Sequence, residues 1–169
     1  MKPRDITCKL AIHQKIFKEL LSGKTEIEYL RRPQPGKWNL LEIVCHLLDE
    51  EREDFRARVK HILEHPSEPM KPIDPAGWVT ARNYAGQDYA KTLEAFLNER
   101  SNSVAWLQTL HDAHWENTHH HPTLGAMSAQ LILANWLAHD YLHIRQFVRY
   151  QYQFLKEETG LDLQYAGNW

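Results

Sequence analysis

Apolar residues recur along this chain at helical spacing in four stretches. Over about residues 6–21, Ile6, Leu10, His13, Phe17 and Leu20 follow steps of four and three and so share one helical face. Ser22-Gly23 supplies a stop, and a loop with Pro33, Pro35 and Gly36 follows. Asn39-Leu40-Leu41-Glu42 then has the form of an N-cap with a glutamate at its third helical position. The second helix should run from there to about Glu64, because His65-Pro66 disfavours continuation. Its apolar arc contains Leu41, Val44, Leu48, Phe55, Val59 and Ile62.

Residues 65–83 carry Pro66, Pro69, Pro72, Pro75 and Gly77 and show no clear periodicity, as expected of a long connection. A third helix is predicted over about 87–111, with Leu93, Phe96, Leu97, Val104, Leu107 and Leu110 on its apolar side. A His-rich loop from His111 to Met127 leads to Ser128 as N-cap of a last, long helix over about 129–157, with Gly160 just beyond it. Short first and third connections favour antiparallel neighbours, and the long middle one can cross the bundle. The pattern predicts an all-α, up-down-down-up four-helix bundle with a long crossover between helices two and three. One domain over residues 1–169 is expected.

Composition narrows the classes. An apolar content of 43% is ordinary for a globular protein, and a net charge of −2 offers no basic field for nucleic acid or anionic membrane. No stretch approaches the ~20 apolar residues of a spanning helix, and no signal-peptide core follows Met1-Lys2-Pro3-Arg4-Asp5, so a cytoplasmic protein is expected. Cys8 and Cys45 are too few for a disulfide framework. The unusual counts are eleven His and six Trp.

Two His-x-x-x-His pairs occur. His61/His65 falls at the end of the second helix, beside Pro66, where solvated histidines favoured by the helix C-terminus are the simpler reading. His139/His143 is different. Ile132, Trp136, His139, His143, Gln146 and Tyr150 form one seam of the last helix, so both imidazoles interrupt an apolar face. A buried polar group must be hydrogen-bonded or bound, and imidazoles one turn apart can chelate one metal ion. A third ligand must come from another helix. Periodicity offers His13, on the apolar face of the first helix, and His46, on the flank of the second, with His13 slightly better placed. His119-His120-His121 belongs to a loop expected to face solvent, and Trp136 is expected to pack in the core or wall a pocket.

Two segments carry a family likeness. Residues 37–51 contain Trp38, Glu42, Ile43, His46, Leu47 and Asp49, and resemble the W-x-x-x-E-I-x-x-H-L-x-D segment of the DinB-like (YfiT-like) superfamily. His139-Asp140-Tyr141-Leu142-His143-Ile144-Arg145-Gln146 resembles its H-D-x-x-H-I-x-Q segment. Ile73-Asp74-Pro75, Arg82-Asn83-Tyr84 and His121-Pro122-Thr123-Leu124-Gly125 are similar to its connecting regions. The resemblance implies the same up-down-down-up bundle and a three-histidine metal site, carried here by His46, His139 and His143 rather than His13. It implies one divalent ion; imidazole ligands suit Zn, Ni or Fe.

Three neutral imidazoles leave coordination positions open, as in catalytic sites. The expectation is a metal-dependent enzyme acting on a small molecule, by hydrolysis or by thiol-dependent S-transfer with a low-molecular-weight thiol; the superfamily includes thiol-dependent S-transferases, and many of its members are labelled metal-dependent hydrolases. The alternative is a non-catalytic, stress-associated metal-binding bundle. Asp49, Glu50, Asp140 and Gln146 are candidate partners of the imidazoles, with Asp49 and Asp140 equally readable as surface charges. Glu50 and Glu53 are candidate bases. Homodimerisation is expected, as relatives of the fold often pair.

Overall fold

The computed structural model describes residues 1–169. Helix α1 (Pro3–Leu21) starts three residues earlier than its apolar pattern, because Pro3 fits the first helical position and Asp5 caps the backbone of Lys2. A short helix, α2 (Glu26–Leu30), sits in the first connection and was not anticipated. Its signal is the capping box of Thr25 and Glu28. The second long helix consists of α3 (Leu40–Asp49), a π-helical turn (Glu50–Phe55) and α4 (Arg56–Glu64). Asn39 and Glu42 close the capping box expected at its start.

The crossover holds a second unanticipated helix, α5 (Pro75–Ala81), for which Asp74 is the N-cap and Pro75 the first residue. Helix α6 (Tyr89–Gln108) follows. The expected solvent-facing histidine loop is instead an antiparallel hairpin, β1 (Thr118–His121) with β2 (Gly125–Ser128), in register Thr118 to Ser128. His119 is buried there and its Nδ1 bonds the Pro66 carbonyl at 3.1 Å, while His120 remains exposed. Ser128 caps α7 (Ala129–Thr159), and Gly160, with φ of 63°, ends it. The tail packs back through a stack of Trp169 on Tyr152 with ring centroids 4.4 Å apart.

Side-chain pairs give the helix directions. Gln14 meets Leu97 and Ser101 while Leu21 meets Tyr89, so α1 and α6 are antiparallel. Cys45 lies by Tyr84, Glu51 bonds Arg100 and Arg56 bonds Ser103, so α3–α4 and α6 run parallel. His13 with Asp140 and Leu20 with Gln151 make α1 and α7 parallel. These directions are the up-down-down-up bundle. No helix is long and apolar enough to cross a membrane.

The core divides into two apolar clusters, one around Phe17, Ile43, Phe96 and Phe147, the other around Leu10, Val59, Leu133 and Trp136. A polar layer separates them at mid-height. Its centre is Arg100, 1% exposed, on the apolar stripe of α6 between Phe96 and Val104. Its guanidinium bonds both Glu51 oxygens at 2.9 Å and both Asp140 oxygens at 2.6 and 2.8 Å. His13 Nδ1 meets Asp140 Oδ2 at 3.1 Å, and Trp136 Nε1 donates to Glu51 Oε2 at 3.0 Å. All four long helices are thereby joined. Burial opposes the charges of Asp140 and Arg100, but their partners win: Arg100 holds Asp140 below the usual carboxylate range, and Glu51 with Asp140 raises Arg100.

Removing one partner from a buried ion network strands the others. Arg100→Leu is expected to cost about 3–5 kcal/mol in urea denaturation. Arg52→Ala, which removes a half-exposed surface partner of Glu99, is expected to cost under ~1 kcal/mol. Equal small losses from both variants would show that the polar layer is not a tie between the helices.

Candidate metal centre

The polar layer continues sideways to the face between α3 and α7. There His46 descends from α3, and His139 and His143 project one turn apart from α7. His139 Nε2 lies 3.1 Å from His143 Nε2 and 3.4 Å from His46 Nε2. One ligand atom from each residue falls within 4.8 Å of the others, an arrangement that could hold a metal ion. His46 and His143 are buried and His139 is half-buried. Trp38 packs against the His46 ring at 5.1 Å and Phe55 against that of His139 at 5.1 Å.

The surroundings favour neutral rings. Burial first, then neighbouring imidazoles, push His46 down to about 4 and His139 down to about 3. Burial pushes His143 down to about 4, against the opposing hydrogen bond to Gln146. His143 Nδ1 pairs with Gln146 Oε1 at 2.8 Å, which fixes the ring and leaves Nε2 facing the cluster. His46 Nδ1 has no hydrogen-bond partner, nor has Glu50 Oε1; both are buried and they lie 3.8 Å apart. Burial, with Asp54 alongside, pushes the Glu50 carboxyl up to about 8.

The remaining candidates lie elsewhere. His13, Asp140 and Trp136 serve the Arg100 layer. Asp140 is fully buried, and Asp49 is buried too, bonding the Tyr84 hydroxyl at 2.6 Å and Arg82 at 2.8 Å; neither is a surface charge. Glu53 points to Arg82 and Lys71 and is therefore not placed to act as a base at the cluster. Its carboxyl is lowered, chiefly by the Arg82 hydrogen bond. His61 and His65 lie by the hairpin, with His61 5.7 Å from His119. Sequence reasoning missed Arg100 and Glu51, although an arginine on an otherwise apolar stripe was visible.

A cavity of ≈ 630 Å³ opens on His139 between α4, α7, the crossover and the hairpin. A second, polar groove of ≈ 520 Å³ lies beyond Gln146, with Lys37, Trp38 and Arg149 on its walls. A larger groove of ≈ 750 Å³ between α1 and α6 contains none of the three histidines. The sequence profile of the DinB superfamily matches residues 9–147. The chain belongs to the DinB superfamily. Its fold is similar to that of YfiT from Bacillus subtilis, described as a probable metal-dependent hydrolase with an unusual four-helix bundle topology. The TM-score is 0.79 at 18% identity, over 95% of this chain and 89% of that one. No curated protein matches the chain in sequence.

The histidine cluster has a pH signature. Unfolded imidazoles take up protons near pH ~6.5, whereas the native ones resist until about 3 to 4. The unfolded chain therefore binds more protons as pH falls through this window, and native stability falls with it. Glu50 acts oppositely between its native value of about 8 and its unfolded one, but as one group against three. Urea midpoints of metal-free protein are expected to fall from about pH 7 to about pH 5, less steeply in His139→Gln. Identical slopes in both proteins would mean that the cluster is not the source.

Proposed function

We propose that His46, His139 and His143 hold one divalent ion, Zn, Ni or Fe, and that the protein is a metal-dependent enzyme hydrolysing a small molecule. The convergence of three imidazole nitrogens beside a cavity carries this reading. With metal–nitrogen bonds of ~2.0–2.1 Å, tetrahedral ligands stand about 3.3 Å apart, and two of the pairs here are at 3.1 and 3.4 Å. The unpartnered His46 Nδ1 and Glu50 Oε1 also fit: a ring ligating through Nε2 carries its proton on Nδ1, facing the carboxyl group.

Bound there, the ion supplies Lewis acidity at a position that three neutral ligands leave open. The chain's own groups do the rest. Gln146 orients His143, Glu50 faces the proton side of His46, and His139 joins the cluster to the cavity. Phe55, Met127 and Ile132 exclude water from its walls. The description of YfiT supports the hydrolase reading. A second reading, thiol-dependent S-transfer, is favoured by the polar groove beyond Gln146, where Lys37 and Arg149 suit an anionic low-molecular-weight thiol.

Metal titration of purified protein is expected to give one tight site per chain. His46→Ala, His139→Ala and His143→Ala should each weaken it at least ~10–100-fold, on the scale at which even supporting partners matter. His120→Ala, on the exposed side of the hairpin, should leave it unchanged. Full metal content in all three alanine variants would overturn the site. With metal bound, turnover of ester or amide panels supports hydrolysis, and turnover only with added thiol supports transfer. Stabilisation without any turnover would make the ion structural.

A further inference from the structure

The cavity in front of His139 is lined mainly by apolar side chains. Its inner wall is Phe55, Met127 and Ile132, all buried. Its mouth is ringed by Leu124, Leu131 and Leu142, which are 68%, 46% and 49% exposed. Three exposed leucines from the hairpin and two turns of α7 thus gather around one opening. Scattered exposed apolar residues need no explanation, but a set that encircles a cavity marks a binding surface.

The charges on the wall cancel. Asp54 and Arg58 line it, and they are ion-paired with each other one helical turn apart. Asn135 is the remaining polar side chain besides His139. Away from the ion, no unpaired charge on this wall compensates a charged substrate body for its lost hydration, whereas most of the lining is apolar. The ≈ 630 Å³ volume lies within the ~300–1,000 Å³ range of pockets that enclose drug-sized molecules.

We infer that the substrate is a small molecule with an uncharged, extended alkyl or aryl body, which packs on Phe55, Ile132 and Leu142 while its reacting polar group reaches His139. The inference rests on the metal-site reading and adds the substrate class. The charged character is placed elsewhere, in the groove beyond Gln146 that carries Lys37 and Arg149. The apolar cavity and the polar groove therefore flank the histidines and select different chemistry.

The test uses Co²⁺-loaded protein, whose visible absorption reports both metal coordination and displacement by a ligand. Probes are straight-chain hydroxamic acids from acetohydroxamic to octanohydroxamic acid, and the carboxylate-ended succinic monohydroxamate. Affinity should rise up to ~4-fold per methylene, and the carboxylate-ended probe should bind no better than acetohydroxamic acid. Leu131→Asp and Leu142→Asp should weaken octanohydroxamic acid at least tenfold with acetohydroxamic acid unchanged. Ile12→Asp, at an exposed position away from the cavity, should change neither. Circular dichroism melts check that the variants fold. A chain-length series that stays flat while the Co²⁺ spectrum is intact overturns the substrate class and leaves the metal site standing. So does a result in which the leucine variants only convert a dimer to a monomer by light scattering, since the leucines would then belong to a second copy of the chain. Absence of the Co²⁺ spectrum overturns the metal reading and the inference together.

Discussion

One buried guanidinium organises this bundle. Arg100 meets Glu51 from the π-helical turn and Asp140 from α7, and Asp140 in turn meets His13 from α1. Ions at the centre of a core are expensive to desolvate, and such a network holds only when every partner is in place. The two apolar clusters on either side would tolerate small slips between helices, because dispersion is not directional. Two-point bonds to both carboxylates do not. They set the height of α6 against α7 and of the second long helix against both, and so determine which residues share the mid-bundle level.

The histidine cluster stands at that level. Asp140, locked to Arg100, directly follows His139 in the chain, so the network also fixes how far along α7 the two imidazoles sit. The π-helical turn gives the complementary effect on the other helix. In a regular helix successive residues diverge by about 100°, yet Glu50 and Glu51 are both buried, one facing His46 and the other Arg100. The extra residue in that turn lets one stretch serve the structural tie and the candidate site together. Helices depart from α geometry in this way at functional positions often enough that the coincidence is informative.

Much of this was legible in the sequence, and the exceptions have physical causes. The long helices and their caps follow from local rules at Asn39, Glu42, Ser128 and Gly160, and the bundle order from connection lengths. The His139/His143 pair was visible because two polar residues interrupted an apolar seam. His46 was not separable from His13 by periodicity, since both are buried polar residues on apolar faces. They differ in the partner each finds across the bundle, which is a tertiary property. Arg100 was overlooked because arginine is expected at the surface. The hairpin at His119 could not be read from a polar, His-rich tract whose burial depends on His61 of α4 and Pro66 just beyond it, both distant in sequence. The short helices α2 and α5 did carry readable caps, at Thr25–Glu28 and Asp74–Pro75.

Membership of the DinB superfamily and the likeness to YfiT agree with this architecture, while the chemistry depends on what the three imidazoles hold. Anomalous scattering from crystals of metal-loaded protein tests that most directly. One strong peak per chain is expected, ~2.0–2.2 Å from a ring nitrogen of each of His46, His139 and His143, with density for a non-protein ligand on the side of the ≈ 630 Å³ cavity. A peak only at the hairpin histidines His119, His120 and His121, or none in fully loaded crystals, would contradict it.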